Sequence, residues 1–474
     1  MPFVERTETA QAPAAPHPSR WALERLLRLF ADVRDGEAAQ LLLLAFNAFL
    51  VLTAYYLIKP VREVLILDRP GGAELKAYAY GIQALVLFAV VPLYGALASR
   101  LPRRRLINIV TAFIIGCLPV FYLLVQAEAS IGLLFFLWIG VFSLIGIAQF
   151  WAYANDVYAP DEGKRLFAVI AFGASSGAVF GAWAAGHLIP AVGVSALLLA
   201  AAAVLAASLM LFNFIDLRGR VADRARGMAP EADATIGDGN AFELVLNSRY
   251  LLLVAALVFL LNSVNTMGEY ILSSIVKNAA VAEVAAGRLE ARDTGRFIGQ
   301  FFAGYFEVVN VAGMVLQLFL VSRIVKYLGV PIAVCILPVV SLVSYGLAAL
   351  VPSLQVMRWA KTAENSVDYS LMNTVRQMFF LPTTRQEKYK AKQVIDSFVV
   401  RAGDVLSALT VYAGTTFLAF GVTQFASLNV ALALAWIAVA VLVGREFGRR
   451  GAPHGDGAPP TALSPPEPSP RGNP

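Results

Sequence analysis

KTAENSVDYSLMNTVRQMFFLPTTRQEKYKAK, residues Lys361–Lys392, is the stretch whose reading decides the fold. It lies late in a chain built mostly of long apolar runs, yet it carries Lys361, Glu364, Asp368 and Arg376 before any loop signal. Steps of three and four relate Lys361, Glu364, Asn365, Asp368 and Met372, so one helical face collects the polar groups. A charge near the middle of a membrane helix costs about 2.5–3.5 kcal/mol on insertion scales unless it pairs or meets water. The stretch therefore reads as a membrane-crossing helix whose polar face lines a solute pathway.

The composition supports a polytopic membrane protein. Of 474 residues, 58% are hydrophobic and 15% charged, against about 25% charged in soluble domains, and the mean hydropathy is +0.67. Cys117 and Cys335 lie inside apolar runs and offer neither a disulfide framework nor a metal spacing. His17 and His454 fall in the tails and His187 ends the fifth apolar run, so no metal site or catalytic cluster is expected. No G-x-x-x-x-G-K-[ST] stretch occurs, which argues against nucleotide hydrolysis as the driving force. The expectation is a non-enzyme with no cofactor. The net charge of +6 is read through its distribution, and no nucleic-acid partner is expected. Residues 1–20 lack the apolar core of a signal peptide. The Pro/Gly-rich tail from Gly451 to Pro474 cannot build a core and is expected to be disordered.

With about 20 apolar residues needed per span, twelve candidate spans appear. The first six are Ala38–Ile58, Ala77–Ala98, Leu106–Val125, Ile131–Ala154, Leu166–Ile189 and Val194–Phe214. The second six are Tyr250–Val276, Phe297–Val321, Val330–Leu350, Ser353–Phe380, Gln393–Phe420 and Gln424–Val443. The organisation expected is a segment 1–37, a six-helix half 38–215, a linker 216–249, a second six-helix half 250–444 and a tail 445–474.

Placing both termini in the cytoplasm puts 26 of the 38 Lys and Arg residues on that side and 8 outside, with Arg358, Lys361, Arg376 and Arg401 within spans. That bias sets the orientation; the location expected is the inner membrane of a bacterium, with both termini in the cytoplasm. The halves also resemble each other. Ser99–Leu106 (SRLPRRRL) is matched by Ser322–Gly329 (SRIVKYLG), Cys117–Val120 by Cys335–Val339, and Tyr158–Arg165 by Leu381–Lys390, at offsets of about 218–224 residues. Three matches at nearly one offset argue for a duplicated six-helix unit, the build of transporters whose halves rock around a midplane site. The short basic loops after spans 2 and 8 look like the inner gating loops of the major facilitator fold.

Several polar groups become candidates. Span 10 begins near Ser353, so Lys361 to Asp368 lies roughly 12–22 Å deep at 1.5 Å per residue. Span 11 answers with Lys392, Asp396, Arg401 and Asp404; the plainer reading is that these charges only lock spans 10 and 11 together. Span 7 offers Asn262, Asn265 and Glu269 on one face, and then Lys277, with interhelical amide packing as the plainer account of the asparagines. Lys59 and Arg62, with Glu63 beside them, close span 1, either as snorkelling interfacial cations or as a funnel for an anion. Asn155, Asp156, Lys164 and Arg165 end span 4 in FWAYANDVYAPDEGKR, as an ordinary capped turn or an inner gate. The glycines of Gly173–Gly186 read as helix packing.

Three of these segments carry a resemblance. FWAYANDVYAPDEGKRLF, YYLIKPVREVLI and above all SLMNTVRQMFFLPTTRQEKYKAKQVID (Ser370–Asp396) resemble the ATP/ADP translocases of plastids and intracellular bacteria. Helix 7, with Glu269 and Lys277, follows that pattern more loosely. The resemblance covers most of residues 40–440 and implies a twelve-helix, major-facilitator-like fold and nucleotide exchange or uptake. It aligns the family's helix 1 lysine with Arg62, a helix 7 cation with Ser273 and a helix 10 lysine with Asp368. The cation at Arg376 is retained, and the family's acidic residue in helix 4 has no counterpart.

The combined expectation is an all-α integral membrane protein, a secondary transporter working by alternating access on an anionic solute, first a nucleotide. Lys59, Arg62, Asn262, Asn265, Glu269, Lys277, Lys361, Glu364, Asn365, Asp368 and Arg376 would form the substrate site. Asn155, Asp156, Lys164, Arg165, Lys392, Asp396, Arg401 and Asp404 would form gates or ion pairs. Two alternatives stand beside it: a proton-coupled transporter of another solute, and a non-transporting membrane protein of the same fold. The oligomeric state is left open.

Overall fold

The computed structural model describes residues 34, 37–158, 160–226, 241–384, 387 and 391–451. The expectations for the N-terminal segment before residue 34, for part of the linker and for the tail after Gly451 fall outside them, as do Arg385, Lys388 and Lys390 of the second repeat segment. Among the described residues every regular element is helical.

Twelve helical rods account for most of the described residues. The first half contains α1 (Ala38–Leu67), α2 (Gly72–Arg100), α3 (Arg103–Gln126), α4 (Gly132–Val157), α5 (Pro160–Val192) and α6 (Ala196–Arg226). A short helix, Ala241–Asn247, leads into α7 (Arg249–Ala285). Then come α8 (Thr294–Leu316), α9 (Ser322–Leu350), α10 (Leu354–Val367 and Asn373–Met378), α11 (Val400–Phe417, led in by Lys392–Val394) and α12 (Val422–Gly451). Nine stretches among the described residues are long and apolar enough to cross a bilayer. One of them, Ala291–Leu350, is 60 residues long and turns back at Gly329, whose φ of +74° suits a residue without Cβ. It thus supplies both α8 and α9, with the span proper starting at Val330 as expected. The charge-bearing α10 and α11 complete the set. Large apolar side chains such as Leu85 and Phe113, each 66% exposed, face outward around the bundle, where lipid replaces water as solvent.

Three helices of the second half contain a wide π turn: Gln317–Val321 after α8, Asp368–Met372 inside α10 and Ile395–Val399 at the start of α11. Such turns skip a step of the i→i−4 ladder and occur frequently at functional sites. Ser353 caps α10 by accepting from the Val356 N–H at 3.3 Å, which sets the register of the polar face inferred from sequence.

Within the first half α1 packs along α5 and α6. The glycine run of α5 makes this possible. A Cβ at Gly181 would come 2.5 Å from the Thr53 carbonyl, and at Gly173 and Gly177 closer still to those of Ala45 and Phe49. The halves meet where α5 lies against α8 and α2 against α11, with α1–α8 and α2–α7 contacts between them.

At the end of the bundle away from the termini this seam is closed. Gly299 of α8 sits against Ile189 and Val194, and Gly186 of α5 against Ala303. Toward the termini the halves part, leaving a cavity of about 1000 Å³ of empty space, partly open, between α1, α4 and α5 on one side and α8 and α10 on the other.

One sequence expectation is corrected here. Lys59, Arg62 and Lys76 were counted among loop cations after span 1. Instead α1 runs on to Leu67 and α2 starts at Gly72, and all three are buried. The chain can turn so sharply because Gly72 packs its bare Cα against the Ile66 and Leu67 backbone.

Candidate functional site

At the closed end of the cavity six ionised side chains alternate in sign across both halves. Arg62 (α1) reaches neighbouring Glu63 with Nε at 3.0 Å and, closer still, with its terminal nitrogen. The other Glu63 oxygen lies 2.6 Å from Lys76 Nζ (α2). Lys76 continues to Glu269 (α7) at 3.4 Å and donates to Ser273 Oγ at 2.9 Å. Glu269 is 3.8 Å from Lys361 (α10), and Lys361 is 3.0 Å from Glu364. The side chains of Lys76, Glu63 and Lys361 are 0% exposed. Ions taken this far from water persist only if paired and hydrogen-bonded, and each of them is.

The pairing is supported by neutral donors and acceptors. Lys361 Nζ donates to Asn265 Oδ1 at 2.6 Å. Glu364 accepts from Tyr345 OH at 2.6 Å and Ser341 Oγ at 3.0 Å. Gly268 leaves the space that the Tyr345 hydroxyl occupies. Asn365 donates to Tyr305 OH at 2.7 Å and to Glu269 at 3.3 Å. Lys361, Glu364 and Asn365, set on one face of α10 by their spacing, meet partners on α7, α8 and α9 of the second half.

Lys59 is built differently. Its ammonium lies 4.0 Å from the centre of the Phe306 ring and 5.0 Å from that of Tyr56, with Tyr55 and Tyr369 at 5.9 and 6.0 Å. Tyr56 and Tyr369 line the open cavity, together with Trp151, Ser175, Asn310, Gln317, Asn373 and Thr374. Lys59 therefore stands directly behind the cavity's deepest wall.

The remaining candidates separate. Asp368 lies on the π turn, half-buried, with no cation at ion-pair distance among the described residues. Asn262 bonds back to the Val258 carbonyl at 2.8 Å and packs on Gly403 of α11, so it belongs to packing, not to the cluster. Lys277 is also displaced: it donates to the Arg69 carbonyl at the far end and borders a separate hollow with Glu74 and Asn278. Arg376 pairs with Asp396 at 2.9 Å, and Lys392 closes on the same carboxylate.

Arg401 meets Asp404 at 2.9 Å, and Asp404 accepts from Thr266 at 2.7 Å. Of these pairs only Arg376–Asp396 joins spans 10 and 11, as the plainer reading has it; Lys392–Asp396 and Arg401–Asp404 stay within span 11, and Thr266 ties Asp404 to α7. At the termini end Asn155 is exposed, and Arg165 bridges to Glu37 at 3.1 Å within the first half. Burial pushes the Glu37 carboxyl up, but Arg165 and the Arg34 backbone N–H more than offset this and hold it below the usual range. The side chains of Asp156 and Lys164 lie outside the described residues.

Sequence reasoning missed Lys76, the Glu63 link, Ser273, Tyr305, Tyr345 and Ser341. The available signal for Lys76 was its place at the start of α2, four residues past the Gly71–Gly72 pair that lets the helix start early.

Several solved structures are similar in fold. A POT family transporter in complex with 5-aminolevulinic acid gives a TM-score of 0.58 at 13% identity, over 87% of this chain and 96% of that one. A bacterial homologue of the iron transporter ferroportin in the inward-facing state gives 0.57 at 16% identity, over 86% and 98%. The nucleoside transporter NupG gives 0.54 at 13% identity, over 87% and 98%. This is a major-facilitator-type transporter fold. A bacterial ferroportin homologue in the outward-facing state scores lower, 0.50 at 16% identity over 87% and 99%. No family model matches the chain, nor does any curated protein sequence. The all-helical membrane fold is the one expected from sequence, and the twelve-helix, two-half arrangement is consistent with the described residues.

Proposed function

We propose that the protein is a secondary transporter of an anionic solute, with nucleotides as the first candidates, working by alternating access. The observation that carries this reading is the single-file alternation Arg62–Glu63–Lys76–Glu269–Lys361–Glu364, which crosses from one half to the other beyond a cavity whose lining runs from Tyr56 and Tyr369 toward the termini. To expose the site on the opposite face, the halves must separate at Lys76 and Glu269, and an anion arriving between them would compensate the cations so released. With the positive-inside bias, the open face is cytoplasmic and the state described is inward-facing. The higher similarity to the inward-facing than to the outward-facing ferroportin homologue supports the same orientation.

The experiment is counter-flow of labelled ATP, ADP and AMP in proteoliposomes, with Arg62→Ala and Lys361→Ala beside the parent. Uptake of at least one of these nucleotides by the parent, and its loss in both variants, is expected. Full uptake in both variants rejects the site.

A second reading, proton-coupled transport of a non-nucleotide solute, is favoured by Asp368, a half-buried carboxylate in mid-helix without a cation partner among the described residues. Acidification of the lumen coupled to solute entry would distinguish it from exchange.

A further inference from the structure

Three cations of the central cluster are engaged one for one. Arg62, Lys76 and Lys361 each lie against a carboxylate, and Glu63, Glu269 and Glu364 balance them. Lys59 is left over. It is 8% exposed, no carboxylate among the described residues is within ion-pair reach, and its ammonium is surrounded by the rings of Phe306, Tyr56, Tyr55 and Tyr369. Aromatic faces attract a cation through their quadrupole but bring no counter-charge, so the demand for an anion persists. The same wall holds a second unmet group: the side-chain nitrogen of Asn310, a cavity-lining residue, is buried without a hydrogen-bond partner. A buried donor left unpaired is costly and rare. Asn310, Tyr56 and Tyr369 thus line one part of the cavity, and the surplus Lys59 cation lies behind the two rings.

Resting on the anion-transport reading above, we infer that this part of the cavity selects solutes with a single anionic head, a carboxylate or phosphate monoester, on a flat unsaturated body, and rejects polyphosphates. The head would meet Lys59 and Asn310, and the body would lie along Tyr56 and Tyr369. Charge count supplies the selectivity. Each negative charge beyond the first would enter a low-dielectric site whose other cations are already committed: Lys76 to Glu63, Glu269 and Ser273, and Lys361 to Glu364 and Asn265. Buried charge without compensation is what protein interiors exclude most strongly. Asp368, one turn from Glu364 on the same face, adds negative charge and sharpens the discrimination.

The test is calorimetric titration of the purified full-length protein with adenosine, AMP, ATP and indole-3-acetate at fixed ionic strength, paired with counter-flow of the same compounds. AMP and indole-3-acetate are expected to bind at least tenfold more tightly than adenosine or ATP. Lys59→Gln should lose at least tenfold for both, while Lys59→Arg keeps most of the affinity. The AMP-to-ATP ratio of the parent decides the matter if Lys59→Gln does not fold. ATP binding as tightly as AMP, adenosine binding as tightly as AMP, or unchanged binding in a folded Lys59→Gln overturns the single-charge rule. The first of these outcomes leaves anion transport standing. Failure of every anion to bind and to exchange overturns both.

Discussion

Lys76 on α2 and Glu269 on α7 meet at 3.4 Å across the seam between the two halves, while the same ammonium holds Glu63 at 2.6 Å within its own half. One side chain therefore serves an intramolecular ion pair and the contact that keeps the far end shut.

Removing that ammonium leaves two buried carboxylates facing each other. Lys76→Met is expected to destabilise the protein by about 3–5 kcal/mol, the usual cost of breaking a buried pair from one side. Adding Glu269→Gln should restore part of the loss. A double-mutant cycle by thermal or denaturant unfolding in detergent checks this, and strict additivity would contradict a shared contact.

Tyr345→Phe removes a 2.6 Å donor to Glu364 while keeping the ring. Hydrogen bonds to charged groups contribute about 1.5–3 kcal/mol, so a loss in that range is expected in unfolding measurements. Ser341→Ala, with its longer 3.0 Å bond to the same carboxylate, should cost less.

Two glycine substitutions should behave oppositely. Gly177→Ala drives a Cβ into the Phe49 backbone and should destabilise by about 1–3 kcal/mol, as overpacking does. Gly116→Ala meets nothing within 4 Å and should stabilise by up to about 1 kcal/mol through helix propensity. Thermal unfolding of both variants reads the difference.

The pairs within the second half should matter less to binding. Arg376 and Asp396 are 22% and 33% exposed, and Lys392 shares the carboxylate. Arg376→Ala should change stability by less than about 1 kcal/mol and leave solute affinity within twofold. A loss of binding comparable to that of Lys361→Ala would return Arg376 to the substrate site.

The asymmetry of the cavity is testable by labelling. In a background without Cys117 and Cys335, Thr374→Cys and Ser175→Cys should react with a membrane-impermeant maleimide from the face that carries the termini. Ala303→Cys, fully buried against Gly186, should not react from either face.

What the sequence made legible was what repeats locally. The three- and four-residue steps of α10 placed Lys361, Glu364 and Asn365 on one face, and the Ser353 start fixed their depth. The same rule overreached on α7. Asn262 and Asn265 differ by three positions, a rotation of about 60° from full register, enough to turn one toward Gly403 and the other toward Lys361. Lys76 was lost for a different reason. Its neighbours Asp68–Gly72 (DRPGG) are charged, proline or glycine, so a hydropathy window opens only at Ala77, and nothing local says that α7 will supply Glu269 and Ser273 nearly 200 positions later. Where the resemblance sets a cation on α7 this chain has Ser273, and the Lys76 ammonium, coming from α2, lies 2.9 Å from its hydroxyl.

The wide turns at Gln317–Val321, Asp368–Met372 and Ile395–Val399 have no counterpart among the described residues of the first half. Their consequence is mechanical. A duplicated architecture suggests two equal arms, but among the described residues only one arm carries π turns. The first half has prolines inside α1, α2, α3 and α5 instead, and its α1 and α5 backbones are locked through Gly173, Gly177 and Gly181. The work of changing access should therefore be divided unequally, with the second half flexing about its joints while the first turns as a block.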